Sequence, residues 1–210
     1  MYLEHAQDVL GQWLDWRRES KTALVIVTAT EGGAVRMPGA LMAVSATGDR
    51  CGYISGGCID ADVAHHARQA LSTGGIKRLR YGKGSPFIDL PLPCGGAIDV
   101  CVLPNAQVSV LRACHDQLAS RQPVSITLSD SGSLGLGHLP TPGTLSFQYI
   151  PKLRLRIAGR GADSLALVRL ATASGIHTEL QLRDAAEAQD AQRLGIGHVT
   201  LLTVPSALPK

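Results

Sequence analysis

The sequence predicts an α/β fold: an N-terminal mixed α/β domain followed by a short, incomplete Rossmann-like βαβ domain. Three observations predict it. Short segments rich in β-branched residues alternate with segments whose apolar residues recur at helical spacing. Glycine-containing turns join several of these segments. A stretch dense in Gly, Ser and Pro, "LSDSGSLGLGHLPTPGTLSF", marks a candidate boundary before a strand–turn–helix–strand pattern, and we predict domains at 1–148 and 149–210.

The first segments predict a helix, three strands and a second helix. "MYLEHAQDVLGQWLDW" has the apolar spacing of an amphipathic helix. "TALVIVTAT" is typical of a buried strand, and "ALMAVSA" and "CGYIS", joined by "TGDR", predict a hairpin. "CIDADVAHHARQALSTGG" predicts a helix that ends at Gly74 and Gly75.

Two further strands and a helix complete the first domain. "IKRLRYG" and "AIDVCVLP" predict the strands, and "VSVLRACHDQLASRQP" predicts the helix. The inner stripe of this helix is predicted to carry Val108, Leu111, Cys114 and Leu118.

The predicted second domain contains a glycine turn between a strand and a helix. "IAGRGADS" places Gly159 and Gly161 where a dinucleotide-binding fingerprint has its first two glycines, and Asp184 follows about 20 residues later, where a ribose-binding acid would lie. Asp163 would repel a pyrophosphate at this turn. "HVTLLTV" predicts a third strand, and no second Rossmann half follows. We interpret this domain as a partial unit used for packing or dimer contact, with NAD(P) binding as the less favoured alternative.

Composition excludes several classes of protein. The 210 residues are 45% hydrophobic with a net charge of +3, and the basic residues are scattered, which disfavours nucleic-acid binding. No apolar run reaches the length of a membrane span, and the N-terminus lacks the pattern of a signal peptide. The five cysteines have no CxxC spacing and are interpreted as reduced thiols of a cytoplasmic protein.

The segment "YISGGCID" places a thiol at a glycine turn. Gly56 and Gly57 allow backbone N–H groups to converge on an anion, and a helix that begins near Cys58 would lower the pKa of its thiol. Asp60 and Asp62 would oppose that effect if they lie close to the sulfur. The alternative is a tight structural turn followed by a small buried cysteine, and this segment alone leaves both interpretations open.

Two other segments resemble this turn in composition. "LPCGGAIDV" places Cys94 beside Gly95 and Gly96 before a strand. "TEGGAVRMPGALM" places Arg36 among small residues, where a guanidinium can bind phosphate or carboxylate with two hydrogen bonds. A lone arginine in a hairpin loop would more often be an ordinary surface residue.

Together, "TEGGAVRMPGALM", "SGGCIDADV" and "PCGGAIDV" resemble, in the same order, the XdhC/CoxI family of xanthine dehydrogenase accessory proteins. The resemblance covers about the first half of the chain firmly. The family usually has Ser-Ser-Pro before the arginine where this chain has "GGAV". Its C-terminal domain is Rossmann-like, usually with "GAGHV" at the turn where this chain has "GRGAD".

The resemblance implies a chaperone that binds molybdenum cofactor in its molybdopterin form, supports its sulfuration and passes it to an apo molybdenum hydroxylase. A cysteine desulfurase and a homodimer are the other implied partners. The implied cofactor-binding residues are Arg36, Gly39, Ser55, Gly56, Gly57, Cys58, Cys94, Gly95, Gly96, Gly159 and Gly161. Cys58 is the first candidate to relay sulfur or contact molybdenum, and Cys94 is the second.

Two other functions remain open at this stage. A small NAD(P)-dependent oxidoreductase would use the Gly159–Gly161 turn, with Cys58 as a redox or nucleophilic thiol. An oligomerisation or regulatory subunit would use the glycine turns for structure alone. Among the other cysteines, Cys101 and Cys114 are predicted to be core residues, and Cys51 is ambiguous.

Overall fold

The computed structural model describes residues 4–86, 92, 95–137 and 141–202, and its helices and strands confirm the predicted α/β class. The chain forms two compact units, Met1–Pro151 and Lys152–Lys210. The division into a cofactor-binding domain at 1–148 and a partial Rossmann-like domain at 149–210 stays a prediction. No helix within the described ranges combines the length and apolar character needed to cross a bilayer.

A five-stranded antiparallel sheet forms the centre of the first unit, in the strand order β3-β2-β1-β5-β4. Its strands and the helices packed against it are α1 (Ala6–Glu19), β1 (Thr22–Glu31), β2 (Leu41–Ser45), β3 (Arg50–Gly52), α2 (Asp60–Thr73), β4 (Lys77–Gly82), β5 (Ala97–Leu103) and α3 (Val108–Ala119).

The strand β1 is buried on both faces, which explains its continuous apolar sequence. One face, with Leu24 and Ile26, packs with α1 and α3 in one core cluster. The opposite face, with Val25 and Val27, packs with α2 in a second cluster. The five-stranded sheet therefore separates two hydrophobic cores.

The Gly/Ser/Pro-rich stretch lies within the first unit, and its described residues include two strands. With the segment before it, it forms a three-stranded antiparallel sheet in the order β7-β6-β8, from β6 (Val124–Ser129), β7 (Leu134–Leu136) and β8 (Thr144–Tyr149). Ile126 and Phe147 join the core formed by α1 and α3. Gly132 and Gly143, both with positive φ, lie in the connections of this small sheet.

The second unit has a β-α-β-α-β arrangement with a parallel sheet in the order β11-β10-β9. Its elements are β9 (Arg154–Ala158), α4 (Gly161–Ala173), β10 (His177–Leu182), α5 (Ala185–Arg193) and β11 (Val199–Leu201). The helix α5 was not predicted. Among its nine residues the buried one is Ala191, so the helix shows only a weak apolar pattern.

Two details of the predicted helices are wrong. The helix α2 begins at Asp60 rather than near Cys58, because the Asp60 side chain folds back onto the preceding turn. Val108, predicted on the inner stripe of α3, is 37% exposed because it is the first helical residue and lies at the edge of the core. Leu111, Cys114 and Leu118 are buried as predicted.

Candidate functional site

The turn before α2 is organised by the carboxylate of Asp60, which is buried. It accepts hydrogen bonds from the backbone N–H groups of Ile54 at 2.7 Å and Gly57 at 3.0 Å, and from the hydroxyl of Ser55. The Ser55 oxygen in turn accepts from the N–H groups of Gly57 and Ile59. The N–H groups expected to converge on an external anion are therefore directed largely at the chain's own carboxylate.

Cys58 lies at the outer edge of this turn and is exposed. Gly57 has φ 105°, a conformation that favours glycine, and a Cβ atom added there would meet nothing within 4 Å. Open space therefore adjoins the residue that precedes the thiol. The helix α2 begins two residues later, at Asp60, so Cys58 precedes its first turn.

The loop 32–39 contacts both glycine corners. A Cβ atom added to Gly32 would lie 3.2 Å from the Cα of Gly96, and one added to Gly56 would lie 3.7 Å from Cγ2 of Val35. This loop therefore connects the "SGG" turn with the start of β5. Gly95 has φ 69° and open space beside it, whereas Cys94 lies outside the described residues.

Arg36 is paired within the first unit. Its Nη1 donates to Oε2 of Glu4 at 2.8 Å, its Nη2 donates to the backbone oxygen of Glu4 at 3.0 Å, and its guanidinium lies 4.6 Å from the ring centre of Tyr53. The Tyr53 hydroxyl donates to the same Glu4 oxygen. Tyr53 leads directly into the "SGGC" turn, so Arg36 lies beside that turn, as the candidate site requires.

Val35 and Met37 flank Arg36 and are 69% and 70% exposed. Glu4, Tyr53 and these two apolar residues were not predicted to belong to the site. Their proximity depends on the fold, because Glu4 and Tyr53 are 49 residues apart in the chain.

Gly39, predicted to bind cofactor, faces the small sheet. Its backbone oxygen accepts from the Tyr149 hydroxyl at 3.0 Å, and a Cβ atom added to it would lie 3.2 Å from Cβ of Phe147. Its φ of 92° also favours glycine. The contacts of Gly39 and Ser55 are thus with their own chain, and a direct contact of either residue with cofactor stays a prediction.

The other described cysteines are buried. Burial raises the pKa of Cys101, and raises that of Cys114 to about 12. Burial, with a smaller effect of the Asp8 charge, raises the pKa of Cys51. These three thiols are protonated core residues at neutral pH, so Cys58 is the exposed thiol among the described cysteines.

Two ion pairs of Arg80 join three neighbouring strands of the sheet. Arg80 on β4 donates to Asp99 on β5 at 2.7 Å and to Glu31 at the end of β1 at 2.5 Å. The hydrogen bond from Arg80 lowers the pKa of Glu31. Sequence spacing could not identify this network, because the three residues meet only through strand pairing.

In the second unit, the two glycines of "GRG" differ. A Cβ atom added to Gly159 would clash with Oγ of Ser164, whereas Gly161 has φ 77° and open space beside it. Asp184 accepts from the N–H groups of Ala186 and Glu187 and caps α5. The carboxylate at the position expected for a ribose-binding acid is therefore the N-cap of α5.

A pocket of about 580 Å³ lies within the second unit. Its lining includes His177 at the start of β10 and His198 just before β11. It therefore lies at the amino ends of the parallel strands, whereas dinucleotides bind outside the carboxyl ends in this topology. The pocket gives no support to NAD(P) binding at the Gly159–Gly161 turn.

Comparison with known proteins agrees with this geometry. Residues 15–82, which include the loop 32–39 and the "SGGC" turn, match the model of the XdhC and CoxI family. The molybdenum cofactor insertion chaperone PaoD of Escherichia coli is 35% identical over 165 residues, which are 74% of this chain and 52% of PaoD. The chain thus spans about half the length of this relative.

A crystal structure described as a xanthine dehydrogenase from Bacillus halodurans superposes with a TM-score of 0.74 at 21% identity, over 94% of this chain and 68% of that one. At this identity the similarity concerns the fold alone. The match to the family model and the identity with PaoD, taken with the three glycine segments in their order, establish that the chain belongs to the XdhC and CoxI family.

Proposed function

We propose that the protein binds molybdenum cofactor in its molybdopterin form as cargo, supports its sulfuration and inserts it into an apo molybdenum hydroxylase of the xanthine dehydrogenase type. The loop 32–39 carries this proposal: it contacts both glycine corners and places Arg36 beside the turn of the exposed Cys58. The name of the PaoD relative, a molybdenum cofactor insertion chaperone, supports the same cargo.

The chemistry of these residues suits the cargo. The pterin carries a phosphate, for which a guanidinium is a bidentate donor. Cys58 supplies a soft sulfur ligand for molybdenum. No group of three or more His, Cys, Asp or Glu side chains in the described ranges could hold a metal ion, so Cys58 would add one ligand to a metal that arrives with its cofactor.

In sulfuration, Cys58 has a second proposed role, as a carrier of sulfur. Its thiolate attacks the terminal sulfur of a persulfide on a cysteine desulfurase, the S–S bond of the donor breaks, and the donor leaves as a thiolate. Cys58 then carries the sulfur as a persulfide beside the bound cofactor. We further propose that the protein does this in the cytoplasm as a homodimer, with Cys94 and Gly95 contributing to the same site.

Co-purification from a host that makes molybdenum cofactor tests the proposal. The pterin is oxidised and detected by its fluorescence in wild type, Cys58→Ala and Arg36→Gln. Matched controls are Ser72→Ala, an exposed residue of similar size on α2, and Arg18→Gln, an exposed arginine on α1. We expect pterin with wild type and both controls, and at least a tenfold loss in the two site variants.

Absence of pterin from the wild-type protein would contradict the chaperone function. Recovery of NAD(P) instead, with its loss in Gly161→Val, would support the alternative oxidoreductase. Equal pterin recovery from wild type and Cys58→Ala would retain the chaperone function and remove Cys58 from cargo binding.

A further inference from the structure

The contacts of Glu4 with Arg36 and Tyr53 form a closed cluster at the edge of the candidate site. The Glu4 carboxylate accepts from Nη1 of Arg36 at 2.8 Å and from the Tyr53 hydroxyl. Two donors that are far apart in the chain therefore converge on one carboxylate oxygen. An oxyanion is the ligand that such a pair of donors selects.

The cluster is asymmetric in exposure. The Arg36 side chain is 18% exposed and lies against the Tyr53 ring, whereas the Glu4 side chain, one residue before the N-cap of α1, is 54% exposed. Among the described residues, the buried Nε of Arg36 has no hydrogen-bond partner. Arg36 thus lies against the Tyr53 ring, retains one unused donor at Nε, and is paired with the more exposed carboxylate of Glu4.

We propose that Arg36 and Tyr53 form a phosphate subsite that the Glu4 carboxylate occupies in the free protein. A phosphate monoester displaces the carboxylate and accepts the hydrogen bonds of Nη1 and the Tyr53 hydroxyl in its place. Only the identification of that monoester with the pterin phosphate rests on the proposed function. The exchange itself follows from the two donors and the exposed competitor.

The strength of the ion pair between Glu4 and Arg36 determines how much Glu4 weakens phosphate binding. An exposed ion pair contributes little to stability, so Glu4 weakens phosphate binding without preventing it. Removing the charge of Glu4 should therefore strengthen phosphate binding by roughly two- to fivefold. Removing Arg36 should abolish it.

The experiment is a titration of the full-length protein with inorganic phosphate, followed by the NMR signals of the arginine Nε–H groups. We expect the Arg36 signal to shift on addition of phosphate in wild type, and at two- to fivefold lower phosphate in Glu4→Gln. In Arg36→Gln, which lacks that signal, the backbone amide signal of Tyr53 is the readout and should not shift at all. Asp15→Asn is the matched control, because it removes one charge from an exposed ion pair on α1, and its phosphate affinity should equal that of wild type.

A second measurement reports on the cluster without phosphate. The hydrogen bond to Glu4 raises the pKa of Tyr53, because a carboxylate acceptor favours the protonated phenol. The pKa of Tyr53 should fall in Glu4→Gln, as measured by phenolate absorbance with Tyr53→Phe as the reference. If Glu4→Gln does not fold, Glu4→Asp serves instead, since it withdraws the carboxylate by one methylene group and should bind phosphate with intermediate affinity.

An unchanged phosphate affinity in Glu4→Gln, or binding that survives Arg36→Gln, would overturn the subsite whether or not the protein binds pterin. A Tyr53 pKa that stays constant in Glu4→Gln would overturn the cluster on which the inference rests. Stronger phosphate binding in Glu4→Gln by a protein that recovers no pterin would retain the subsite and refute the proposed cargo.

Discussion

Exposure separates Cys58 from the other described cysteines at the scale of single residues. A thiol must be accessible and deprotonated to act as a nucleophile or a metal ligand. Cys51, Cys101 and Cys114 are buried and their pKa values are raised, so they meet neither condition at neutral pH.

Alkylation of the native protein should therefore label Cys58 and spare these three thiols. With iodoacetamide at pH 8, followed by peptide mass spectrometry, we expect Cys58 to react at least ten times faster than Cys101 or Cys114. The three buried thiols should react only after unfolding in urea, and Cys58→Ser should remove the fast phase at that peptide. Fast labelling of Cys114 in the native protein would contradict the burial described here.

Asp60 is the second decisive residue, because its buried carboxylate accepts from the turn that presents Cys58. Asp60→Asn replaces one acceptor oxygen by an amide that faces N–H donors. Leaving buried donors unsatisfied costs about 1–3 kcal/mol, and we expect a loss of that size in the free energy of unfolding measured with urea.

The control for Asp60→Asn is Asp15→Asn, an exposed position where the change should stay within about 0.5 kcal/mol. A loss in Asp60→Asn as small as that of the control would show that the turn does not depend on the Asp60 carboxylate.

At the scale of elements, the candidate site consists of connections rather than of helices and strands. The loop between β1 and β2 lies against the turn before α2 and against the residue before β5. The five-stranded sheet holds these connections, and the ion pairs of Arg80 join the ends of β1, β4 and β5 beneath them. The sheet thus positions the loops, and the loops carry the chemistry.

The two glycines of the "SGGC" turn give a matched pair for testing its conformation. Gly57 has φ 105°, whereas Gly56 is not in the positive-φ region and would meet Val35 at an ordinary contact distance of 3.7 Å. Gly57→Ala should lower the free energy of unfolding by about 1–2 kcal/mol, and Gly56→Ala by clearly less. Thermal unfolding followed by circular dichroism measures both. Equal losses would contradict the described backbone.

At the scale of the whole molecule, the chain forms two units that differ in architecture. The first has antiparallel sheets with helices, and the second a three-stranded parallel sheet. Residues 150–153 lie outside helices and strands, and Leu153 is 61% exposed. This segment joins the two units.

Limited proteolysis should therefore cleave near this junction. Thermolysin cuts before bulky apolar residues, and we expect an early cut at the Lys152–Leu153 bond that releases an intact first unit, identified by mass spectrometry. Leu153→Asp should slow that cut and leave others unchanged. Early cleavage within β1 or β5, before the junction is cut, would contradict the two-unit organisation.

The sequence alone determined the class of the fold and the position of most elements. β1 is continuously apolar, α2 and α3 carry apolar residues at helical spacing, and Gly74 ends α2 with φ 76°. These features are local: each depends on a few consecutive residues and on which faces they bury. The order of three glycine segments likewise sufficed to identify the family.

The tertiary structure decided what the side chains of the site contact. From the sequence, Asp60 was a charge that could repel a thiolate, and Arg36 was predicted to bind the cofactor, with no partner in its own chain identified. In the fold, the Asp60 carboxylate instead accepts a hydrogen bond from the turn before α2, and Arg36 donates to Glu4, 32 residues away. Hydrogen bonds between distant residues depend on how strand pairing brings the loops together. Local sequence patterns do not predict that pairing, so they could not predict these contacts.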